Sequence, residues 1–461
     1  MLPPTAGVGM AIFVSPGVAA DPNLIAPQLA YLITRTCIRL SVLSVGETRP
    51  DNVHKPRIYF LHKDISMKPI RNLHMMMASA AFLTLAGPAL ALDGADMMKK
   101  LNAATSAGGT VITFENADVD GDTVTATGVQ VGYANLPGDT LKIGDLTFEG
   151  VEETEGGGYY AKGVSFPDID MSQEEGRFSA KDILIVGLTI PANASGDTLN
   201  DILLYETVST GPIAFNIKGK DVLAIESIES NLGRQDGGFA YDANVAGIKA
   251  DLSQVEEASA KEAIAKLGLT TLDGTVTMKG NWEIENGKVA VDEYAFDFKN
   301  IGRLNFAVDF SGYTLSFIKS LQQAVKTAEA NPNKEEANQA AGLAMLGLMQ
   351  QLTFNSASIR FDDASITKKA LDYAGSQQGV TGDQLAQSLK GLVPMMMAQL
   401  NLPELQNQVS AAVNTYLDGP KNLTISAAPE KPVPFPMIMG AAMGAPNTIP
   451  SVLGVKVTAN D

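Results

Sequence analysis

Apolar and polar residues alternate with a period of two along most of the segment from Thr110 to Phe310. Because successive side chains of a strand point to opposite faces of a sheet, this pattern predicts strands that are buried on one face. Glycine-containing pairs and one triple glycine separate the runs and supply the positive φ angles of tight hairpins. The predicted turns are Asp120-Gly121, Gly156-Gly157-Gly158, Asp236-Gly237-Gly238, Asp273-Gly274 and Asn286-Gly287. The segment therefore predicts a meandering antiparallel sheet.

A Gly-Val or Gly-Leu pair recurs between these runs, beginning at Gly128, Gly150, Gly163 and Gly187. The distance between successive pairs is not constant. A propeller or a solenoid needs a fixed period, so neither architecture is predicted.

Helical periodicity dominates after Tyr313, where Ile318, Leu321 and Val325 fall on one helical face. Pro394 is expected to kink or restart its helix, and Ser365 is expected to cap one. The predicted helices are Asp93–Ser106, Val255–Leu267, Ala340–Gln351, Thr381–Leu400 and one that begins at Pro403 and ends at Asp418-Gly419-Pro420, before a Pro-rich stretch, Pro432–Pro436, and a terminal strand, Val452–Thr458. The chain is thus predicted to be α+β, with a large meandering antiparallel sheet followed by a mainly helical C-terminal part with a few further strands.

A secretory signal peptide is predicted at residues 67–91, which makes the protein periplasmic. Its positive, apolar and small-residue regions are Lys68 with Arg71, Met75–Ala86, and Ala89 with Ala91 at the cleavage site. The apolar region is short for a bilayer span, which favours cleavage before Leu92 over retention as an anchor. No stable transmembrane span is expected after cleavage.

Four regions follow from these patterns. Residues 1–66 precede the signal without helical or strand periodicity and are interpreted as an over-extended start. Residues 67–91 are the signal peptide, residues 92–313 are a β-rich region, and residues 314–461 are a mixed helical region with a terminal strand.

Composition excludes several functions. The 461 residues include 34 Lys and Arg against 51 Asp and Glu, a net charge of −17, which disfavours nucleic-acid binding. All three histidines and the one cysteine precede Leu92. A Ser-His-Asp triad, a Cys-His pair and a histidine-ligated zinc are therefore excluded from the mature chain, and no cofactor is predicted.

The segment Leu352–Leu371 reads as a strand, Asp362-Asp363 and a helix, followed by Gln377-Gln378-Gly379-Val380-Thr381 and a long helix. In this order of elements the sequence resembles the YdgA-like proteins of the bacterial envelope and, more distantly, the AsmA-like proteins. Gly274–Phe310, with Trp282 on a strand, fits the same order. The resemblance implies an extended sheet and a place in the envelope, and for the AsmA-like proteins a link to lipid homeostasis and transport.

Some chemistry stays open. Ser316 with Lys319, and Ser365 with Lys368, have the serine-to-lysine spacing of penicillin-recognising enzymes without their companion motifs, and a carboxylate pair from distant segments would suit a glycosidase. A secreted hydrolase is therefore an alternative to a non-enzymatic protein. Asp118, Asp120 and Asp122 begin a calcium-loop pattern that fails at Thr123 and Val129, which favours an acidic hairpin.

The most apolar part of the mature chain lies in two helical segments. Flexible thioether side chains suit an adaptable apolar pocket, although they also fill ordinary cores. The candidate ligand-binding residues are Leu392, Val393, Met396, Met397, Leu400, Met437 and Met439. We expect a non-catalytic envelope protein that binds or shields an apolar ligand such as a lipid; the alternative is a structural protein that binds an envelope partner.

Overall fold

The computed structural model describes residues 92–106, 109–133, 136–173, 176–196, 198–255, 257–399 and 402–461. The signal peptide with Ala89 and Ala91, the preceding extension and Leu400 lie outside the described residues. Strands dominate up to Ser311, in agreement with the alternating pattern. They are β1 (Thr110–Thr113), β2 (Asn116–Asp120), β3 (Thr123–Tyr133), β4 (Leu136–Glu153), β5 (Tyr159–Ser165), β6 (Ile169–Gln173), β7 (Gly176–Ala180), β8 (Leu184–Ile190), β9 (Thr207–Thr210), β10 (Ile213–Ile217), β11 (Lys220–Ile225), β12 (Ser227–Gln235), β13 (Gly238–Asp251), β14 (Thr271–Glu283), β15 (Lys288–Phe298), β16 (Gly302–Ser311), β17 (Thr353–Asp363), β18 (Asn422–Ala427), β19 (Val433–Pro434) and β20 (Val455–Ala459).

One helix precedes the strands, one lies between β13 and β14, and the others come after Ser311 and alternate with the last four strands. They are α1 (Gly94–Ser106), α2 (Ala258–Leu267), α3 (Leu315–Ala330), α4 (Lys334–Met349), α5 (Ile366–Gln377), α6 (Gly382–Ala398), α7 (Pro403–Asp418), α8 (Phe435–Gly444) and α9 (Ile449–Val452). The α+β prediction, a large antiparallel sheet followed by helices with a few strands, is confirmed.

The strands of the described residues join one sheet in which each pairing is antiparallel. Its main order is β2–β3–β4–β5–β8–β9–β12–β13–β14–β15–β16–β17–β18–β20, and β1 pairs with the far half of β3. A branch of β6, β7, β10 and β11 joins β13 beside β12. The last strands extend the same sheet, so the β-rich and helical regions share it.

The first core forms where α1 packs on β3, β4, β5 and β8. Met97 and Met98 on α1 and Phe148 on β4 are almost completely buried there. Asp96, in the first turn of α1, accepts hydrogen bonds from Lys100 and, at 2.8 Å, from the hydroxyl of Tyr159 on β5. This polar contact fixes the helix on the sheet beside its apolar core.

The predicted hairpin turns are confirmed with one exception. Gly121, Gly157, Gly237 and Gly287 lie between consecutive strands with positive φ. Gly274 instead lies inside β14, where a Cβ atom would meet the ring of Phe298 and a backbone carbonyl of β15. The close approach of β15 leaves no room for a side chain at this position, and the glycine does not form a turn. The prediction of a turn at Asp273-Gly274 was therefore wrong.

Three glycines of the irregular Gly-Val and Gly-Leu series mark bends within strands. Gly128 and Gly187 have φ of 63° and 67°, and the side chains of Glu115 and Glu206 occupy the space where their Cβ atoms would lie. Gly150, with φ of 60°, is covered by Lys162 in the same way. These glycines allow the long strands to bend, and bends need no fixed period in the sequence.

Pro394 was expected to kink or restart its helix, and it lies inside the continuous helix α6, which does not restart there. The C-terminal part differs from the predictions in two other places. The Pro-rich stretch leads into helix α8, which was not predicted, because Pro436 occupies the first turn where a missing N–H costs little. Residues expected to open the terminal strand form α9, and β20 begins only at Val455.

Candidate functional site

Strands β16, β17, β18 and β20 present one apolar and one polar face. Their register places Phe306, Ile359, Ile425 and Val457 side by side in one row across the sheet. Paired residues of antiparallel strands share a face, so this row belongs to a single surface, the apolar sheet face. The adjacent row on the opposite face consists of Asn305, Arg360, Thr424 and Thr458.

Aromatic side chains extend the apolar sheet face onto β15. Tyr294 pairs with Phe306, and its ring centroid lies 4.8 Å from that of Phe296 in an edge-to-face contact. Phe296 and Phe306 are also edge to face, at 6.4 Å. Burial raises the pKa of the Tyr294 hydroxyl, as expected where water is largely excluded.

Helices α3 and α4 cover one end of the apolar sheet face. Phe317 on α3 and Leu348 on α4 are buried in a cluster that Val308 and Phe310 of β16 join. Val308 pairs with Ala357 on β17, and Ile359 lies two positions beyond Ala357 on that strand. Ile359 and its partner on β18, Ile425, keep 44% and 45% of their surface exposed. The helices therefore leave the row through these two isoleucines open to solvent.

Exposed large apolar side chains concentrate on the helices of the C-terminal part. Met395 and Met396 on α6 are 67% and 66% exposed, and Met437 and Met443 on α8 are 58% and 89% exposed. Helices α3 and α4 and the rest of α6 add Val325, Leu343, Met345, Leu346 and Leu392. Soluble proteins rarely leave so many large apolar groups together in water, which makes this region the candidate site.

The helix ends that carry these side chains also lack charge. Residues 337–359, 391–403 and 432–455 contain no Asp, Glu, Lys or Arg, although such residues make up 18% of the chain. The three segments include the second half of α4, the second half of α6, and the whole of α8 and α9. We call the parts of α4, α6 and α8 within them the charge-free helix ends.

Hydrogen bonds place α7 alongside the edge strand β20. The side chain of Gln408 accepts from the backbone N–H of Val457 at 3.2 Å, and the side chain of Asn460 donates to the carbonyl of Thr415 at 2.9 Å. Seven helical residues and three strand residues both cover about 10 Å, so α7 and β20 run in the same direction. The start of α7 is therefore level with the start of β20.

The charge-free helix ends thus gather at one end of the sheet. Gln406 of α7 donates to the carbonyl of Pro394 at 3.2 Å, which holds the second half of α6 at the start of α7. Phe435, the first residue of α8, packs in the cluster that contains Leu348 near the end of α4. Helices α8 and α9 lead directly into β20.

The sequence-predicted ligand-binding residues lie on these helix ends, and the described ones are not deeply buried. Leu392, Met396 and Met437 are exposed, whereas Val393, Met397 and Met439 are half-buried. Their role in ligand binding stays a prediction.

The acidic hairpin does not assemble a metal site. Asp118 and Asp120 on β2 and Asp122 in the following turn are exposed, and Asp118 accepts a hydrogen bond from Asn116 at 2.8 Å. Within the described parts of the chain, no three His, Cys, Asp or Glu side chains come close enough to hold a metal ion.

The Ser365–Lys368 pair is engaged in other contacts. The Ser365 hydroxyl donates to the carbonyl of Asn300 at 2.6 Å, and Lys368 pairs with Asp372 at 3.2 Å. Ser365 occupies the N-cap position of α5 without a capping hydrogen bond, because the Asp363 side chain accepts from a backbone N–H of the first turn instead. The prediction that the Ser365 side chain caps the helix was wrong.

Two open cavities lie on other parts of the sheet. One, of about 330 Å³, is formed by β6, β7, β10 and β11, and Arg177 within it is paired with Asp170. The other, of about 320 Å³, lies at the turns that follow β12 and β14, where Arg234 stacks over Phe239. The first cavity is lined by charged side chains of these strands as well as by apolar atoms, and the second is lined mainly by apolar atoms of the two turns.

Trp282 is a packed strand residue, as the sequence suggested. Its ring lies 6.3 Å from that of Phe239, and its indole N–H donates to the carbonyl of Tyr313 at 2.9 Å. The contact connects β14 to the segment that starts α3.

Comparison with known proteins gives a match to a family model of undefined function over the C-terminal part of the chain. A family model described as "Uncharacterized protein" matches residues 295–460, which contain the apolar row and the charge-free helix ends. No curated protein matches the chain. No helix among the described residues is long and apolar enough to cross a membrane.

Sequence reasoning missed the apolar sheet face. Ile359 and Ile425 stand in strands that look like ordinary half-buried ones, and only their register and the position of the helices show that they remain open. The absence of charge in the three segments was a signal in the sequence that could have directed attention to this end of the molecule.

Proposed function

We propose that the protein is a non-catalytic, exported protein of the bacterial envelope that binds the acyl chain of a lipid on its apolar sheet face. The observation that carries the proposal is the open row through Ile359 and Ile425, in a C-terminal part whose helices expose further methionines and leucines. A bound acyl chain removes this row from water, which provides the free energy of binding.

The composition of the surface supports an apolar ligand of variable shape. Aliphatic side chains of β17 and β18 and the aromatic rings of β15 and β16 offer no charged group to a ligand. Methionines on the neighbouring helix ends have flexible, polarisable side chains that adapt to chains of different length. Such a surface selects for apolar character and not for a particular polar head.

The place of action follows from the sequence. Residues 67–91 have the order of a secretory signal peptide, and the resemblance to YdgA-like and AsmA-like proteins agrees with a periplasmic role. The chain beyond residue 91 contains neither His nor Cys, which is consistent with a role in binding.

Native mass spectrometry tests this proposal. The gene is expressed from Met67, and the protein is recovered from the periplasm, analysed intact and then extracted for lipid. We expect a mass that begins at Leu92 and one lipid per chain. The same mass without any bound lipid, before and after incubation with a free fatty acid, would contradict ligand binding and favour a role as a structural or partner-binding protein.

A further inference from the structure

We infer that the charge-free helix ends dock on the surface of an electrically neutral lipid bilayer. This inference rests on the proposed function, since it names the bilayer as the source of the lipid. It concerns a different surface, however, because the exposed side chains of α4, α6 and α8 belong to helices and not to the strands of the apolar sheet face.

The first argument is the distribution of charge. Three segments that are far apart in the sequence, 337–359, 391–403 and 432–455, lack charged residues and are brought together by the fold. Charged side chains are costly at the depth of the acyl chains, so a surface that enters a bilayer excludes them. A surface that binds a protein partner does not need to exclude charge in this way, because the rim of a protein–protein interface is polar and tolerates charged residues.

The second argument is the exposure of the side chains. Met395, Met396, Met437 and Met443 each expose more than half of their surface, and Met443 exposes 89%. No described helix is long and apolar enough to span a membrane, so insertion would be limited to the interface. Side chains that project this far can enter the acyl region while the helix backbones stay at the level of the head groups.

The third argument is the sign of the protein's charge. The chain carries a net charge of −17, and acidic residues such as Glu335 and Glu336 begin α4 on the side away from its charge-free end. Anionic head groups would be repelled by this field, and the charge-free segments offer no lysine or arginine to offset the repulsion. The charges therefore favour a bilayer of zwitterionic lipids and binding that does not depend on salt.

Vesicle flotation tests the inference with the mature protein recovered from the periplasm. Vesicles of pure phosphatidylcholine are compared with vesicles that contain phosphatidylglycerol in equal amount, each at low and high salt. We expect flotation with phosphatidylcholine at both salt concentrations, and weaker flotation with the mixed vesicles that high salt partly restores. Flotation only with the anionic vesicles would overturn the inference.

Matched variants identify the surface. Replacing Met395, Met396, Met437 and Met443 together by Gln keeps residues that favour helices and changes only exposed positions, and we expect the partition onto phosphatidylcholine to fall at least tenfold. Val119→Thr, on exposed β2, is the control that leaves flotation unchanged. Flotation of the quadruple variant at the wild-type level would overturn the inference.

Analytical sedimentation distinguishes docking on a bilayer from self-association of the chain. A wild-type dimer that becomes a monomer in the quadruple variant, together with no flotation of either protein, would assign this surface to self-association and overturn the inference. The proposed function is judged independently, because lipid found in native mass spectrometry with no flotation would leave ligand binding intact and remove only the docking step.

Discussion

Replacing Ile359 and Ile425 by Thr tests whether the open row binds the ligand. Threonine keeps the β-branched shape that suits a strand and exchanges an ethyl group for a hydroxyl. Both positions are already 44% and 45% exposed, so the loss of folding stability is expected to stay within about 1 kcal/mol. The double variant therefore changes the surface that meets the ligand with little effect on the fold.

The expected loss of affinity follows from the exposed area. Each isoleucine presents about 80 Å² to solvent, so full coverage of both by an acyl chain is worth about 4 kcal/mol at about 25 cal/mol per Å². Threonine keeps roughly half of this apolar area, so the double variant should lose about 2 kcal/mol. That loss corresponds to an increase of about 30-fold in the dissociation constant.

Fluorescence titration with cis-parinaric acid measures the change. Val119→Thr is the matched control, because Val119 is 41% exposed on β2, at the other extreme of the strand order, and its substitution should leave binding unchanged. Circular dichroism melts confirm that each variant is folded. Equal affinity of the wild type and a folded double variant would refute the assignment of the ligand to the apolar sheet face.

Three further predictions concern stability. Phe148→Ala, in the core under α1, should cost about 3–5 kcal/mol in urea unfolding, and a loss below 1 kcal/mol would contradict its packing. Gly287→Ala should cost about 1–3 kcal/mol in the same assay, because φ is 62° and a Cβ atom would meet the backbone of Tyr313. Hydrogen bonding by Lys100 keeps the pKa of Asp96 below its usual value, so Asp96→Asn should lower the Tm at pH 7. The difference in Tm between the wild type and the variant should narrow as the pH falls below about 4, where the carboxylate becomes protonated. A difference in Tm that stays constant with pH would contradict this role of the Asp96 charge.

The sheet was predictable because its signals are local. Period-two alternation and glycines with positive φ specify strands and hairpins without knowledge of distant contacts, as at Gly121 and Gly287. Gly274 shows where this reasoning fails, since its lack of a side chain is required by the neighbouring strand β15 and not by a turn. Glycine is needed at this position because of a tertiary contact, and the local sequence pattern does not reveal such contacts.

The candidate site was predictable only in part, for a related reason. The composition of the sequence identified Met396 and Met437 as candidate ligand-binding residues. The expected apolar pocket, however, depends on where the helices pack on the sheet, which composition does not specify. The row through Ile359 and Ile425 depends on the register of four strands, which contacts far apart in the sequence determine. Helix α8 was hidden because a proline cluster normally ends helices, whereas at a first turn proline starts one.

The lack of charge in the charge-free helix ends is informative in a protein this acidic. Exposed methionines contribute little to folding stability and increase the risk of aggregation, whereas a charged residue at a position such as Met443, 89% exposed, would cost the fold almost nothing. Stability therefore does not explain why 24 consecutive residues, 432–455, contain no charge. The proposed docking on a bilayer would account for the lack of charge, and the open row of the apolar sheet face lies within the same C-terminal part of the chain.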